Sequence, residues 1–348
     1  MEEQILLQKA TAIVKPYGIK PYFAEDFGRI LRIYADAGSF ALKKVPPNMG
    51  TDFIRHIQFL YQKGYNRVVP IYPTNDGRYA VLYQNELYYL MPWLPNEEKE
   101  ERKEKQHQLF RELARLHTLS VSEVQISKEE RTIHYETTLN QWEKDQEFIE
   151  GFIETCESKI YMSPFELLFC LYFHDINQAI KFSINQLKEW YEKTKDQEKA
   201  RRVLAHGKIS TEHFLYDERG YGYFINFENA KLASPNHDLL PFIARVLDGY
   251  PKQSDECVDW FYNYMKYFPL KEEELLLFLA YFAYPSPILQ VAERYHKSSK
   301  SINERKVVQQ LQKKYWLLKN TEYVVMKITE IENQKKIQQA SNNGAQSS

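Results

Sequence analysis

Cysteine is scarce. Cys156, Cys170 and Cys257 are the three in a chain of 348 residues. They are far apart, odd in number and form no CxxC pair, which argues against a disulfide framework. Reduced, mostly buried thiols are expected. An excess of one charge is also lacking: 46 Lys and Arg stand against 47 Asp and Glu, a formal net charge of -1. That balance removes the usual electrostatic argument for binding nucleic acid or an anionic membrane, though local basic patches stay open. No continuous run of about 18 apolar residues occurs, so no membrane span is expected. The acidic start MEEQILLQKA has too short an apolar run for a signal peptide. The protein is therefore expected to be made and kept inside a cell. No GxSxG element is found, so no serine triad can be inferred. His56, His134, His174 and His237 show no metal-ligand spacing.

What is abundant is aromatic: 26 Tyr, 20 Phe and 5 Trp. So many hydroxyls are hard to satisfy inside, so many tyrosines are expected at the rim of the core. An adhesive or cross-linkable surface is the sharper reading of the same fact. The length exceeds what one ordinary core needs and points to two lobes.

Along the chain, a helix over Gln4–Val14 is expected to close at Lys15-Pro16-Tyr17-Gly18. "GRILRIYADAGSFALKKV" reads as a hairpin turning at Asp36-Ala37-Gly38. Pro46-Pro47-Asn48 breaks that strand. Thr51 or Asp52 could cap a helix running to Lys63 and ended by Gly64. "RYAVLYQ" and "ELYYLMPWL" form two more strands around a two-residue turn near Asn85. Beyond Pro95 the pattern becomes helical. Leu109, Phe110, Leu113 and Leu116 recur at three- and four-residue spacing in a charged helix. Further helices are expected near 136–158, 164–181, 183–202, 236–249, 254–267, 271–283, 286–296 and 301–333. The amphipathic face Val307, Leu311, Tyr315, Leu318 of the last is expected to pack on the larger lobe. The expectation is an α+β, two-lobed kinase-like fold: an N-lobe over 1–93, a mainly helical C-lobe over 94–335, and a disordered tail over 336–348.

The helical region is interrupted by "VLAHGKISTEHFLYDERGYGYFINFENA", Val203–Ala230. It reads as strand, tight polar loop, hairpin and strand. Phosphoryl transfer needs a carboxylate to take or orient the proton of the attacking hydroxyl. It also needs two oxygen ligands for magnesium and a lysine on the phosphates, held by a helix glutamate. "HGKISTEH" and "INFEN" resemble, residue for residue in spacing, the catalytic and metal-binding segments of the aminoglycoside-phosphotransferase and choline-kinase-like family. There the pattern is His-Gly-Asp, four residues, Asn, and then Ile-Asp after a hairpin. "FALKKV" is similar to the lysine strand, which makes Lys43 the phosphate lysine. "LYYLMPWLPN" resembles the hinge, where Met91 would line a nucleotide. "ELARLHTLS" resembles the Leu-Ala-x-Leu-His helix of these enzymes and "SPNHDLLPFI" their later structural Asp segment, so that Asp238 would anchor the loop; His206 reads as a loop-bracing histidine rather than a catalyst. Within this family the chain is most similar to the CotS-like bacterial spore coat proteins. The resemblance covers about residues 20–295.

The departures fall on the chemistry, making 206–228 a degenerate catalytic region. Lys208 stands at the position of the base, and an ammonium accepts no proton; losing a general base costs about a hundred- to ten-thousandfold in rate. His213 replaces an amide oxygen, a poor exchange for a hard cation. Asn226 replaces the main metal carboxylate. The helix at 52–63 holds no Glu, and Gln58 is nearest the place of the partner of Lys43. Only Gly28 and Gly38 lie where a glycine-rich phosphate loop would be. Lys208 is free to pair with Glu212 or Glu228, or to neutralise a bound anion; Glu228 is also the carboxylate best placed to rescue metal binding. The resemblance implies a pseudokinase-like spore coat component, made in the mother-cell cytoplasm and deposited on the spore coat among other coat proteins. No cofactor is expected, with metal-independent nucleotide binding as an open possibility. An active small-molecule phosphotransferase using ATP is the alternative.

Overall fold

The computed structural model describes residues 2–46, 50–96, 102–298 and 303–346. The expected strand break at Pro47-Asn48, the first part of the charged run (97–101) and residues 301–302 of the last helix lie outside these. By its contacts the chain divides into two compact units, Met1–Ser122 with Arg202–Asp238, and Glu123–Arg201 with Leu239–Ser348.

The order of elements begins α1 (Glu2–Val14), β1 (Pro21–Asp26), β2 (Ile30–Ala35), β3 (Gly38–Val45), α2 (Asp52–Gln62), β4 (Val81–Tyr83), β5 (Glu86–Pro92) and α3 (Arg102–Ser120). It continues with β6 (Ser122–Gln125), α4 (Lys128–Glu157), α5 (Pro164–Thr194) and β7 (Lys199–Ala205). Then come β8 (Phe214–Tyr216), β9 (Gly222–Phe224), β10 (Lys231–Ala233), α6 (Asn236–Leu247), α7 (Asp255–Tyr267), α8 (Glu272–Ala283), α9 (Ser286–Ser298) and α10 (Glu304–Gln346).

The first unit is built on an antiparallel sheet in the order β1-β2-β3-β5-β4. Its turns are local chemistry. Ala35 pairs with Gly38 across Asp36-Ala37. Tyr83 pairs with Glu86 across Gln84-Asn85, both with positive φ, the backbone that matches strand twist in a two-residue hairpin. β1 adds a strand that alternation does not reveal, because only Ala24 of its six residues is fully buried. Successive strand residues point to opposite faces. One face of this sheet, with Leu31, Ile33, Leu42 and Leu90, packs under Ala10 and Ile13 of α1. The other face carries Ala41, Lys43, Tyr89 and Met91, in register as Ala41↔Met91 and Lys43↔Tyr89.

The second unit is helical. Two of its long helices begin at reciprocal capping boxes, Ser127 with Glu130 and Ser163 with Glu166. Its core joins Phe152 of α4, Phe169 and Ile180 of α5, Ala280 of α8, Ala292 of α9 and Leu311 of α10. Three sequence boundaries shift. α4 starts at Lys128 rather than near 136. α5 runs through the expected break near 182, where Ser183 faces inward fully buried. The segment from Lys199 is strand, not helix, although Lys, Ala and Arg favour helices. Tertiary contacts override the propensity: Arg201 binds the Glu274 carboxylate and lies 4.1 Å over the Phe268 ring.

The last helix also differs from expectation. It continues to Gln346, through much of the stretch expected to be disordered. Lys, Gln and Ala in KKIQQA are good helix formers, and propagation is cheaper than nucleation. Val307, Leu311 and Leu318 are buried in the helical unit. The stretch Glu272–Lys297 has a window of mean hydropathy 1.6 and would pass for a membrane span by length and composition. Continuous apolar runs do not reveal it, because Pro285, Ser286, Pro287 and Gln290 interrupt the stretch. Here 67% of that window is buried, and Tyr284-Pro285 breaks it into α8 and α9.

Candidate functional site

The loop after β7 is fixed from below by Asp238. Its Oδ2 accepts the His206 backbone N–H at 2.7 Å, and its Oδ1 accepts that of Gly207 at 2.7 Å. His117, on α3, places Nε2 3.2 Å from the same carboxylate. Burial pushes the Asp238 carboxyl up, but the His117 hydrogen bond and the His206 amide bond outweigh it and hold it below the usual range. Asp238 and His206 are both essentially inaccessible to solvent.

His206 has both ring nitrogens committed. Nε2–H donates to the Ile225 carbonyl at 2.7 Å, and Nδ1 accepts the Lys208 backbone N–H at 3.3 Å. That is the neutral tautomer. A second proton on Nδ1 would set one N–H against another, and burial lowers the pKa of the ring. Gly207 has φ +78°, and a Cβ there would lie 2.4 Å from the Asn229 carbonyl oxygen. Only glycine lets the loop and the 226–229 segment approach this closely.

The loop then folds on itself. His213 Nδ1 lies 2.7 Å from the Lys208 carbonyl, and the His213 carbonyl accepts the Ile225 N–H at 3.0 Å. Asn226 follows in the left-handed region, φ +69°, a conformation Asn tolerates better than most residues. So Lys208, His213 and Asn226, separate in sequence, are tied through the backbone of Ile225 and the ring of His206.

Lys43 enters from β3. Its ammonium binds both Asn226 Oδ1 and Glu228 Oε1. Tyr89, its cross-strand neighbour on β5, donates to the same Glu228 oxygen at 2.7 Å. The side chains of Lys43 and Glu228 are 11% and 6% exposed, so the pair is dry. Burial pushes Glu228 up, yet the charge and hydrogen bond of Lys43 and the Tyr89 hydroxyl together hold it below the ordinary glutamate range. Burial draws Lys43 down; Glu228 opposes this, while the charges of Lys208 and Arg29 add to it. Tyr89 is pushed well above the ordinary range by burial and by Glu228.

Two sequence expectations are corrected here. Among the described residues, Gln58 makes no hydrogen bond to Lys43, whose carboxylate comes instead from Glu228. Nor does Lys208 take Glu212 or Glu228 as a partner; it is exposed and makes no ion pair within 4 Å among the described residues. Met91 is buried on the same sheet face as Lys43, two residues along β5 from Tyr89. Tyr89 was not singled out by motif, although strand alternation and hairpin register place it opposite Lys43.

The cluster can hold charge in place. It offers Glu228 as a carboxylate already bonded to an ammonium and a phenol, Asn226 as an amide already accepting from that ammonium, and His213 bonded to a carbonyl. Among the described residues no group of three or more His, Cys, Asp or Glu is arranged to hold a metal ion.

Comparison with protein-family models gives no match, and none of the curated proteins matches. Solved structures do. An aminoglycoside phosphotransferase from Alicyclobacillus acidocaldarius has a TM-score of 0.68 at 13% identity, over 92% of this chain and 95% of that one. A spectinomycin phosphotransferase in complex with ADP and spectinomycin has a TM-score of 0.51 at 14% identity, over 93% and 99%. The AMP-bound complex of that enzyme gives 0.50, at 14% identity over 92% and 98%. At such identities the likeness establishes the fold: a kinase-like phosphotransferase fold with a small antiparallel-sheet N-lobe and a larger helical C-lobe.

Proposed function

We propose that this chain is a catalytically degenerate member of the kinase-like phosphotransferase fold that serves as a structural or assembly protein of the spore coat. The observation that supports inactivity most is the closed contact of Lys43 with Glu228, Asn226 and Tyr89. In a working phosphotransferase a lysine engages phosphate oxygens and acidic oxygens engage magnesium. Here the carboxylate on Lys43 is Glu228, from the segment that would bind magnesium rather than from the helix, and Asn226 of that segment accepts from the same ammonium. The position that would take a proton from the substrate holds Lys208, whose ammonium has no lone pair to accept it. Magnesium demands oxygen ligands in near-octahedral array, and prising Glu228 from a buried ammonium would cost several kcal/mol, on the order of a broken buried pair.

The coat assignment rests on the resemblance of residues 206–213 and 225–229, together with the lysine strand and hinge, to CotS-like proteins. It implies synthesis in the mother-cell cytoplasm, deposition on the coat, and other coat proteins as partners. The test has two arms. Purified protein with ATP, magnesium and a panel of amino-alcohol and aminoglycoside acceptors is expected to release no ADP above the enzyme-free rate. A fluorescent fusion followed through sporulation is expected to ring the forespore. Magnesium-dependent ADP release would refute inactivity, and a signal uniform in the cytosol of mature spores would refute the coat role.

A further inference from the structure

We propose that Tyr172 and Tyr315 form a modification site, where a peroxide-driven one-electron oxidant couples the two rings into a dityrosine joining α5 to α10 within one chain. The inference goes beyond the function proposed above and does not depend on it.

Two observations support it. The first is ring geometry. Tyr172 of α5 and Tyr315 of α10 lie face to face, with centroids 3.5 Å apart and planes 2° from parallel. Aromatic pairs ordinarily sit offset or edge to face, about 4.5–7 Å apart. At the closer separation a carbon ortho to each hydroxyl is within reach of its counterpart. Both residues are half-buried, so neither ring is sealed from a small oxidant. The second is a place for the proton. The Tyr315 hydroxyl donates to Asp175 Oδ2 at 2.6 Å. Burial pushes the Asp175 carboxyl up, but that hydrogen bond and Lys319, 3.3 Å away, hold it below the ordinary range. It is therefore an ionised acceptor at neutral pH. A phenol that loses an electron becomes a strong acid, and Asp175 is in place to take the proton from Tyr315.

A second stack lacks that acceptor. Tyr135 of α4 and Tyr191 of α5 lie 4.0 Å apart and 3° from parallel, but the Tyr191 hydroxyl pairs with Thr132. Among the described residues no carboxylate accepts from either phenol of that pair. The coupling balances as follows. Each phenol gives up one electron and one proton. The two phenoxyl radicals form a single carbon–carbon bond between ortho positions. Each ortho carbon then loses its hydrogen as a proton while its oxygen regains one, which restores both phenols. The two hydrogens lost in all reduce one hydrogen peroxide to two waters. The new bond closes a long loop of chain, the kind of closure that restrains the unfolded state most, and fastens α10 to α5.

The experiment treats the full chain, at high dilution, with hydrogen peroxide and a small haem peptide as the peroxidase. The monomer is then digested for mass spectrometry. The expected product is a peptide pair joining Tyr172 to Tyr315, lighter by two hydrogens, in a monomer that shows dityrosine fluorescence. Tyr172→Phe and Tyr315→Phe keep the rings, and each should abolish that product. Asp175→Asn should slow its appearance about tenfold or more, as loss of one hydrogen bond to a charged group implies. Lys319 keeps Glu322 as a partner in that variant. Tyr135 and Tyr191 should couple more slowly than Tyr172 and Tyr315, or not at all. Oxidation of Tyr161 and Tyr250, 89% and 81% exposed, shows in every sample that the oxidant acted. Oxidised Tyr161 and Tyr250 beside uncoupled Tyr172 and Tyr315 would overturn the proposal. So would coupling in Asp175→Asn at the parent rate, or faster coupling of Tyr135 to Tyr191.

Discussion

At the scale of single residues, the pair Lys43–Glu228 decides most. Removing one partner of a buried ion pair leaves the other charge dry and unpaired, at a cost of about 3–5 kcal/mol. Asn226 would remain beside Lys43, so Glu228→Gln is expected at the lower end, about 3 kcal/mol, by urea denaturation. Lys43→Met combined with Glu228→Gln should recover part of that loss. A double variant no better than the sum of the singles would mean the two side chains do not interact. The partner of Lys43 was not legible because it lies 185 positions away. Local sequence offered only the neighbouring helix and Gln58. Lys43 itself was legible from its strand pattern, and Tyr89 could have been read from the same register.

His206 sets a second residue-scale expectation, in pH. Its folded pKa lies below the ordinary value, so the unfolded chain binds the proton first as pH falls. Stability is fully present above about pH 6.5, the unfolded histidine value, and is lost as pH falls toward the lower folded value. Glu228 and Asp238 are also depressed in the fold. Their contribution is present above about pH 4 and is lost as pH falls below it, through their folded values. Melting temperature against pH should therefore decline in two stages. His206→Gln, which can still donate to the Ile225 carbonyl, should flatten the upper stage. An unchanged slope between pH 7 and 5 in that variant would remove His206 from the account.

At the scale of elements, the loop 206–213 and the segment 226–229 form one unit through a glycine. Gly207→Ala meets the Asn229 carbonyl and an unfavourable φ together. It should cost more than the ~1 kcal/mol of an ordinary Gly→Ala strain. Hydrogen exchange of the 206–213 and 226–229 amides should rise with it. Exchange that rises elsewhere and not in these segments would contradict the coupling. Hairpins β2–β3 and β4–β5 were legible because their turn residues dictate register. β1 and the start of β7 were not, since the first buries one side chain and the second is held by Arg201, Glu274 and Phe268. The run through Ser183 shows the same limit: helix continuity there is decided by what packs against it.

At the scale of the whole molecule, the order of sheet, helices and inserted loop was legible because turn residues and hydrophobic periodicity mark it locally. The fold is shared with aminoglycoside phosphotransferases at 13–14% identity. In this chain Glu228 is turned inward onto Lys43, and Lys208 stands exposed on the loop after β7. On the function proposed above, that arrangement serves assembly rather than group transfer. The most direct test is a crystal soaked with ATP and manganese, with anomalous scattering collected at the manganese edge. The account predicts no manganese peak within coordination distance of Asn226 or Glu228, with Lys43 still bonded to Glu228. Manganese bound by those two side chains, with Lys43 swung onto the phosphates, would contradict it.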